Sequence, residues 1–162
     1  MYYLVDDVCI KEVEEYKEEI SYSPTFEEFK QTTPNRTEED YNFFINLLQD
    51  IQDSARKERC NVKYEIFCKE KSIGYVILHN YSTPTPEVEI SINEDYQSKG
   101  IGYKAMQYVM ACVFERKDVW YLVYRLRVEN QKSLNLVKKC NGIEVKNDKS
   151  LGIIKEFYIY NK

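Results

Sequence analysis

Residues 88–102 read VEISINEDYQSKGIG and take the chain from a strand into a helix through a glycine turn. Apolar and polar residues alternate along the first positions, which is the period-two pattern of a half-buried strand. After Gly102 the apolar residues recur at helical spacing, so a helix is predicted to begin at the two glycines. A helix N-terminus offers free backbone N–H groups and the positive end of the helix dipole, and Gly100 and Gly102 place no side chain in front of it. The stretch therefore predicts a phosphate-binding turn.

A second strand and a second helix start follow this turn. Residues 120–128 read as a strand, and residues 130–133, Asn-Gln-Lys-Ser, open a further helix. Together with Gln97 and the two glycines, which form the pattern Q-x-x-G-x-G, they resemble the GNAT superfamily of acetyl-CoA-dependent N-acetyltransferases. The resemblance is nearest to the branch that acetylates ribosomal proteins, and it runs in the expected order over roughly residues 60–160.

The resemblance implies an α/β (α+β) protein with the GNAT fold, in the element order β-α-α-β-β-β-α-β-α-β. Its central sheet is mixed but mostly antiparallel, is splayed at mid-sheet, and carries helices on both faces. Residues 1–162 are expected to form a single domain, with residues 1–60 as acceptor-side helices and residues 61–162 as the sheet and the acetyl-CoA-binding core. In that fold the gap between the splayed strands admits the pantetheine arm of acetyl-CoA, here between residues 90–92 and residues 124–128.

Local patterns predict the remaining elements. Residues 2–5 read as a strand, followed by a helix that Asp6 or Asp7 caps and whose apolar face includes Val13. Two further helices are predicted to begin at Thr25, with capping-box spacing, and at Thr37. The prediction is completed by hairpin strands at 62–68 and 73–79, a loop at 81–86, a closing strand at 153–160, and turns at Lys71-Ser72 and Asn141-Gly142.

The resemblance also assigns a cosubstrate, acetyl-CoA, and the residues that hold it. The glycine turn would take the pyrophosphate, and the strand edge at residues 90–92 would hydrogen-bond the amides of the pantetheine arm, which Asn130 would face. Lys99 and Lys104 flank the turn and could concentrate positive charge there in an acidic chain. The residues assigned to acetyl-CoA are Ile90, Ser91, Ile92, Gln97, Ser98, Lys99, Gly100, Ile101, Gly102, Tyr103, Asn130 and Ser133.

Acetyl transfer to an amine requires that the amine lose its proton before it attacks. A lysine-like amine, with a pKa of about 10.4, is neutral at pH 7 in only about one molecule in 2,500, which costs about 4.6 kcal/mol. Glu87 and Glu89 share one face of the cofactor strand and are the predicted general bases, Glu89 being slightly favoured. The alternative is that both carboxylates only solvate the exposed face of a half-buried strand. His79, the only histidine, ends the preceding strand, where an ordinary structural role is favoured.

The leaving thiolate lacks its usual partner in this sequence. Many family members carry a tyrosine seven residues after the helix-opening Asn as the general acid, but that position is Val137 here. Ser133 is the predicted replacement donor, by similarity to the ribosomal-protein-acetylating branch. The alternative is that Ser133 only holds the N–H groups of its own helix start. Tyr124, Tyr158 and Tyr160 could also point inward.

Composition argues against several other functions. The chain has 162 residues, a net charge of −4 and no basic stripe, so nucleic acid is not expected as a partner. No apolar run approaches the roughly 18 residues of a membrane span, and the first residues lack a signal-peptide pattern, so we expect no membrane association and a cytoplasmic location. Five cysteines without a C-x-x-C pair argue against a zinc site and against disulfides, and no metal is expected.

Two classes of function remain. The first is an N-acetyltransferase that transfers the acetyl group of acetyl-CoA to a primary amine by direct attack in a ternary complex. The second is a non-catalytic domain that binds acetyl-CoA as a sensor or regulator. A nucleotide-binding domain is disfavoured because no G-K-[ST] follows the glycine turn. The expected acceptor is a small-molecule or peptide amine that residues 20–36 flank, and the expected assembly is a monomer or a homodimer.

Overall fold

A computed structural model describes residues 1–13, 24–57, 61–146 and 152–161. Within those ranges the strands are β1 (Tyr2–Val5), β2 (Val8–Glu12), β3 (Val62–Cys68), β4 (Lys71–His79), β5 (Glu87–Ile92), β6 (Tyr121–Arg127), β7 (Ile143–Val145) and β8 (Ile154–Tyr160). The helices are α1 (Phe26–Thr32), α2 (Glu38–Lys57), α3 (Ile101–Phe114) and α4 (Gln131–Lys139), and a 3₁₀ turn spans Glu94–Tyr96.

The chain divides into two compact units, one of Met1–Tyr16 with Asn61–Lys162 and one of Lys17–Cys60. The first unit holds a single sheet in the strand order β1-β2-β3-β4-β5-β6-β8-β7. Neighbouring strands are antiparallel except β5 and β6, which are parallel. A parallel pair needs a crossover connection, and α3 lies in that connection. The predicted mixed, mostly antiparallel sheet is confirmed.

The sheet opens between β5 and β6. Only Glu87 pairs with Val123 and Val88 with Tyr124, so two residue pairs join these strands. On its other side β5 pairs with β4 along its whole length. The backbone of residues 89–92 therefore has no partner on β6, and the predicted splay is confirmed.

The core lies between the sheet and the apolar face of α3. Met106 and Val109 are fully buried and share one hydrophobic cluster with strand residues that include Leu78 and Leu122. Full burial of an aliphatic side chain of this size stabilises the fold by about 1.5–3 kcal/mol relative to exposure. α4 contributes Val137 to the same cluster. This packing holds the starts of both helices beside the open gap.

The helix predicted after Asp6 and Asp7 is wrong over residues 8–12, which form β2. Asp6 adopts a left-handed conformation, with φ of 39°, and Asp6 and Asp7 form the turn of a β1–β2 hairpin. The first three residues of β2 are buried, and β2 also pairs with β3. Pairing on both sides and burial outweigh the helical spacing of the apolar residues. The rest of the predicted helix, through Ile20, lies outside the described residues.

Two turns differ in detail from their predictions. The β3–β4 hairpin turns at Lys69-Glu70, where Lys69 has φ of 57°, and the predicted turn at Lys71-Ser72 instead begins β4. After α4 the left-handed residue is Asn141, with φ of 61°. A glycine is needed at position 142 because the backbone passes close to α4 there. A Cβ at this position would lie 2.6 Å from Cγ2 of Val137. The short strand β7 that follows was not predicted.

The predicted helix starts in the second unit are confirmed. Thr25 and Glu28 form a capping box at α1, in which the Glu28 N–H donates to the Thr25 hydroxyl at 3.3 Å and the Thr25 N–H donates to the Glu28 carboxylate at 2.8 Å. Thr37 and Asp40 repeat this arrangement at α2. Aromatic contacts then join the two helices, through Phe26, Phe29, Tyr41 and Phe44.

Candidate functional site

The start of α3 differs from the starts of α1 and α2. Those two helices carry acidic residues in the first turn, whereas the first turn of α3 carries none. Gly100 occupies the N-cap in a left-handed conformation, with φ of 79°, and has no side chain that could accept a hydrogen bond from the helix. The N–H groups of the first turn and the positive end of the α3 dipole are therefore open to an anionic ligand.

A cleft of about 600 Å³ lies between this turn, the open edge of β5 and the start of α4. Lys99 and Ile101 do not line it, because the Lys99 ammonium lies over the Tyr96 ring, 5.4 Å from its centroid, and the Ile101 side chain is buried in the core. Ile101 could thus reach a ligand only through its backbone N–H. The other residues assigned to acetyl-CoA line the cleft, namely Ile90, Ser91, Ile92, Gln97, Ser98, Gly100, Gly102, Tyr103, Asn130 and Ser133.

The open edge of β5 presents backbone groups to the cleft. In an antiparallel ladder, successive residues direct their N–H and C=O groups to opposite sides. The Asn93 N–H donates to the Ile73 carbonyl of β4 at 2.8 Å, so the N–H and C=O groups of Ile90 and Ile92 point away from β4 and into the gap. Of these, the Ile92 carbonyl accepts from the Gln97 side chain at 2.7 Å. An extended ligand chain could add to this edge as a further strand does.

Gln97 connects three walls of the cleft. Its amide nitrogen donates to the last carbonyl of β5, and its Oε1 accepts from Lys132 Nζ on α4 at 2.7 Å. Lys132 and Lys139 both line the cleft, whereas Lys99 and Lys104, the predicted source of positive charge, do not. Neither Lys132 nor Lys139 was predicted as a site residue from the sequence. Their seven-residue spacing, which places them on one face of α4, is the signal that identifies them.

A second cavity, of about 400 Å³, runs along the β5–β6 gap. It shares Ile90, Asn130 and Ser133 with the cleft, so the two spaces meet at those residues. The structure brings the three predicted catalytic residues together here, since Glu87, Glu89 and Ser133 all line this cavity. It also holds Tyr124, one of the three tyrosines that could point inward, together with His79, for which a structural role was favoured, and Arg125, which was not predicted.

The Glu87 carboxylate is held in an ion pair with Arg125. Arg125 lies on β6, and its Nε also donates to Glu156 on β8 at 2.7 Å. Burial opposes the charge of Arg125, but hydrogen bonds with Glu156 and Glu87 outweigh it and raise the pKa of Arg125. Glu87 therefore faces a permanent cation that links three neighbouring strands.

Glu89 has different partners. The Tyr75 hydroxyl donates to its carboxylate at 3.0 Å, and Nε2 of His79 lies 2.9 Å from its other oxygen. Burial and the hydrogen bond to Glu89 raise the pKa of Tyr75, so the phenol keeps its proton and remains a donor. The Glu89 side chain is 49% exposed, compared with 30% for Glu87. Glu89 is thus the more accessible carboxylate of the two, and its neighbours orient it.

Ser133 lies at the junction of the two cavities. Its N–H donates to Asn130 Oδ1 at 3.0 Å, so Asn130 is the N-cap of α4 and the Ser133 hydroxyl is not needed for capping. Ser133 shares the second cavity with Tyr124. Tyr158 and Tyr160, the other two tyrosines considered, contact a further tyrosine of the sheet, with ring centroids 4.2 Å and 5.4 Å away, and line neither cavity.

Val137, at the family's tyrosine position, is fully buried in the hydrophobic core. It lines neither cavity, and its methyl group already lies close to the backbone at Gly142. A larger side chain here would overpack the core. This position of α4 therefore cannot supply the acid that many relatives take from it.

Within the described ranges, no three His, Cys, Asp or Glu side chains are grouped as a metal site. The described cysteines are free thiols, and burial raises the pKa of one of them, Cys140, to about 11. In the same parts of the chain, no helix is long and apolar enough to cross a membrane.

The splayed sheet, the glycine turn and the open edge of β5 define a class of protein. The chain belongs to the GNAT acetyltransferase family, because the model of the acetyltransferase (GNAT) domain matches residues 7–142. Spermidine N(1)-acetyltransferase of Escherichia coli K12 is 26% identical over 124 residues, which cover 75% of this chain and 63% of that protein. The chain thus spans less than two thirds of the length of this relative.

Solved structures share the fold at low sequence identity. The acetyltransferase of Salmonella typhimurium that modifies the N-terminal serine of ribosomal protein L7/L12 has a TM-score of 0.58 and 17% identity, over 75% of this chain and 76% of that one. Dodecameric spermidine N-acetyltransferase of Vibrio cholerae has a TM-score of 0.60 and 16% identity, over 95% and 94%. The N-acetyltransferase PseH of Campylobacter jejuni has a TM-score of 0.58 and 18% identity, over 97% and 100%.

Proposed function

We propose that this protein is an N-acetyltransferase that transfers the acetyl group of acetyl-CoA to a primary amine by direct attack in a ternary complex. The observation that carries the proposal is the junction at Ser133 and Asn130. There the cleft with the open start of α3 meets the cavity that holds Glu87 and Glu89. An anionic cosubstrate and an amine could therefore meet at one point from two sides.

The side chains and backbone of the cleft fit acetyl-CoA. The N–H groups at the start of α3 would bind its pyrophosphate next to Gly100 and Gly102, with Lys132 and Lys139 as countercharges. The open edge of β5 would bind the amides of the pantetheine arm. Bound in this way, acetyl-CoA supplies the acetyl group as a thioester. The Ile92 N–H, which faces the gap, would donate to the thioester oxygen as negative charge develops on it.

Glu89 is proposed as the general base. At pH 7 an alkyl ammonium needs about 4.6 kcal/mol to become a neutral amine, and a carboxylate in reach, directly or through one water, takes that proton before the C–N bond forms. Tyr75 and His79 hold the Glu89 carboxylate in one orientation. Glu87 is proposed to hold Arg125 in place beside the site and not to take a proton itself, because its carboxylate is already paired with Arg125.

Ser133 is proposed as the hydrogen-bond donor to the departing sulfur. As the C–S bond breaks, its electron pair moves to the sulfur, and a hydroxyl directed at the sulfur stabilises the thiolate. Two observations support this role. Ser133 lies where the cavities meet, and its hydroxyl is not used to cap α4.

The acceptor is proposed to be a small-molecule amine or the N-terminus of a peptide. One relative is named for spermidine and one similar structure for an N-terminal serine, and both acceptors belong in a first panel. The predicted flanking segment, residues 20–36, is described from residue 24 onward. A cytoplasmic location and a monomer or homodimer remain predictions, and light scattering would measure the assembly.

A non-catalytic domain that binds acetyl-CoA is the second candidate. The observation that favours it is Val137, which is buried where many relatives carry a catalytic tyrosine. Release of free thiol separates the two candidates. The protein is incubated with acetyl-CoA and with spermidine, a peptide that begins with serine, an amino acid or an aminoglycoside, and a no-amine sample is the control.

Thiol release that depends on one of these amines would support the transferase. Acetyl-CoA binding without turnover on any amine would favour the sensor. A protein that does not bind acetyl-CoA would contradict both candidates.

A further inference from the structure

Arg127 ends β6 next to the junction of the two cavities. The Asn130 N–H donates to the Arg127 carbonyl at 2.9 Å, and Asn130 in turn caps the helix that carries Ser133. The Arg127 side chain is exposed and lines the second cavity. Among the residues that the structure describes, it has no hydrogen-bond or ion-pair partner. Its guanidinium is therefore free to bind an anion that enters this cavity.

The other arginine of the cavity is not free in this way. Arg125 is held between Glu87 and Glu156, so its charge is balanced within the protein. Glu89 has a phenol and an imidazole as its partners, and neither is a permanent cation. Among the side chains that line the cavity, one carboxylate, that of Glu89, and one guanidinium, that of Arg127, thus remain for a ligand.

Glu89 and Arg127 lie on the same face of the sheet. Glu87 pairs with Val123, and residues two apart along a strand share a face, so both side chains lie on the face of that pair. If the β5–β6 register continued, the Cα atoms of Glu89 and Arg127 would be about 8 Å apart, and the splay adds to this. A molecule a few bonds long can therefore bridge the two side chains, with a cationic end at Glu89 and an anionic end at Arg127.

We propose that the acceptor of this site is a small amine that also carries a carboxylate, such as a free amino acid, and that Arg127 binds this carboxylate while the amine faces Glu89. The proposal rests on the proposed function, because it names the substrate class of that same site. A guanidinium binds a planar carboxylate through two parallel hydrogen bonds, which fix its orientation as well as its position. The cavity volume of about 400 Å³ is typical of small-molecule sites.

The same guanidinium disfavours the other acceptors of the proposed assay. When one amine of spermidine lies at Glu89, its remaining ammonium groups share the cavity with Arg127, and like charges at this range repel each other. A peptide that begins with serine has no carboxylate beside its amine, so it leaves Arg127 unpaired. Both should be poorer acceptors than a small amino acid.

The bond changes balance without a further reactant. Glu89 takes one proton from the bound ammonium, and the neutral amine then attacks the thioester carbon. The C–N bond forms and the C–S bond breaks, and the electron pair of the C–S bond goes to the sulfur, which leaves as a thiolate. The nitrogen then gives up a second proton, which the thiolate takes up through water. Arg127 holds the carboxylate and keeps its own protons throughout.

The test compares glycine, β-alanine and γ-aminobutyrate with their amides, which lack the carboxylate charge. The ratio of kcat/KM for each acid to that for its amide is measured in the wild type and in Arg127→Met. Comparing these ratios between the two proteins cancels the difference in amine pKa between acid and amide. Arg127→Met should lower kcat/KM for the preferred acid by about 5- to 30-fold, as expected for a partly solvated charged hydrogen bond, and leave the amide unchanged.

Lys155→Met is the matched control. Lys155 pairs with Leu126, the neighbour of Arg127, but its ammonium is bonded to Glu144 and it lines neither cavity. This variant loses the same charge and should keep the wild-type ratio. Arg127→Lys keeps the charge without the two parallel hydrogen bonds, so it should retain part of the preference for the acid.

An acid-to-amide ratio that is the same in Arg127→Met and the wild type would overturn the proposal. A wild-type preference for spermidine or for the serine peptide over all three acids would overturn it as well. Should Arg127→Met fail to fold, Arg127→Gln replaces it in the same comparison.

Binding of the preferred acid to the CoA-bound protein, followed by ligand-observed NMR, does not depend on turnover. Arg127→Met should weaken this binding by the same factor of about 5 to 30. Binding that depends on Arg127 without acetylation of any amine would contradict the proposed function alone. Acetylation of other amines without any binding of an acid at Arg127 would contradict this proposal alone.

Discussion

Arg125 lies between two carboxylates, that of Glu87 on β5 and that of Glu156 on β8. This cation separates the roles of the two glutamates that face the second cavity. The Glu87 carboxylate is already engaged by the Arg125 guanidinium, whereas Glu89 is oriented by a phenol and an imidazole and is the more exposed of the two. At the scale of single residues, proton transfer therefore favours Glu89.

Replacing Glu89 tests that assignment. Glu89→Gln keeps the shape of the side chain but cannot accept a proton, so turnover should fall by roughly 10²–10⁴ while the Kd of acetyl-CoA stays near the wild-type value. The loss should shrink for acceptors with a low amine pKa, which need less help with deprotonation. Steady-state kinetics with a series of amines measures this. Glu87→Gln is the matched control, and equal small losses in both variants would return both residues to the role of a solvated strand face.

Ser133 and Asn130 offer a second comparison at this scale. Loss of a hydrogen bond to a charged group is worth about 1.5–3 kcal/mol, so Ser133→Ala should slow acetylation by about 10- to 150-fold. Because Asn130 caps α4, Ser133→Ala should leave the Tm nearly unchanged, whereas Asn130→Ala should cost about 1 kcal/mol of stability. Kinetics and thermal unfolding of both variants give the answer. A lower Tm at the wild-type rate in Ser133→Ala would make Ser133 structural.

At the scale of elements, the sequence predicts structure best where the spacing of apolar residues changes from that of a strand to that of a helix next to a glycine. The alternation of β5, the glycines and the helical spacing of α3 agree with one another, and all three were confirmed. The β1–β2 hairpin was missed because the apolar residues after Asp7 also fit a helix. β2 is a strand because it pairs with β1 on one side and with β3 on the other. A short stretch of sequence does not show which strands will be its neighbours.

The candidate site likewise combines features that local sequence patterns predict with contacts that they do not predict. The glycine turn and Asn130 follow from short motifs, and the splay follows from the family resemblance. By contrast, the partners of Arg125 lie on two other strands, and the Lys132–Gln97 hydrogen bond joins residues 35 positions apart. Such contacts depend on the strand order and on how α4 lies against the glycine turn, which no motif in the sequence specifies.

α4 supplies the third prediction, because Lys132 reaches across the cleft to Gln97. Lys132→Met keeps most of the side-chain volume and removes the charge. Acetyl-CoA should bind about 5-fold more weakly, as expected for one partly solvated cation near a phosphate, and the difference should shrink at high salt. Isothermal titration calorimetry at two salt concentrations measures it. Lys138→Met is the control, because it removes a charge from α4 outside the cleft. An equal loss of acetyl-CoA affinity in Lys138→Met would show that Lys132 has no specific role.

At the scale of the whole molecule, the two arms of the sheet are joined by the core beneath α3 and by only two β5–β6 residue pairs. A ligand that fills the gap completes backbone hydrogen bonding that exists only in the folded protein, so binding must stabilise the fold. The family match to residues 7–142 runs through both compact units, and the single domain of the sequence analysis remains a prediction.

Acetyl-CoA at a hundredfold excess over its Kd should therefore stabilise the protein by about 2.7 kcal/mol, a rise in Tm of about 5–10 °C. Gly102 allows a clean test. A Cβ there would meet Leu136 at 3.7 Å and Ile90 at 3.8 Å, which are ordinary contacts, whereas Gly100 has a positive φ that a side chain would strain. Gly102→Ala should fold as well as the wild type yet show a smaller shift, and Gly102→Val should show none, because each side chain occupies the space that the pyrophosphate needs. Differential scanning fluorimetry with and without acetyl-CoA measures both. If Gly102→Val kept the full Tm shift with acetyl-CoA, the pyrophosphate would not bind at the glycine turn. The proposed function would then lose its basis.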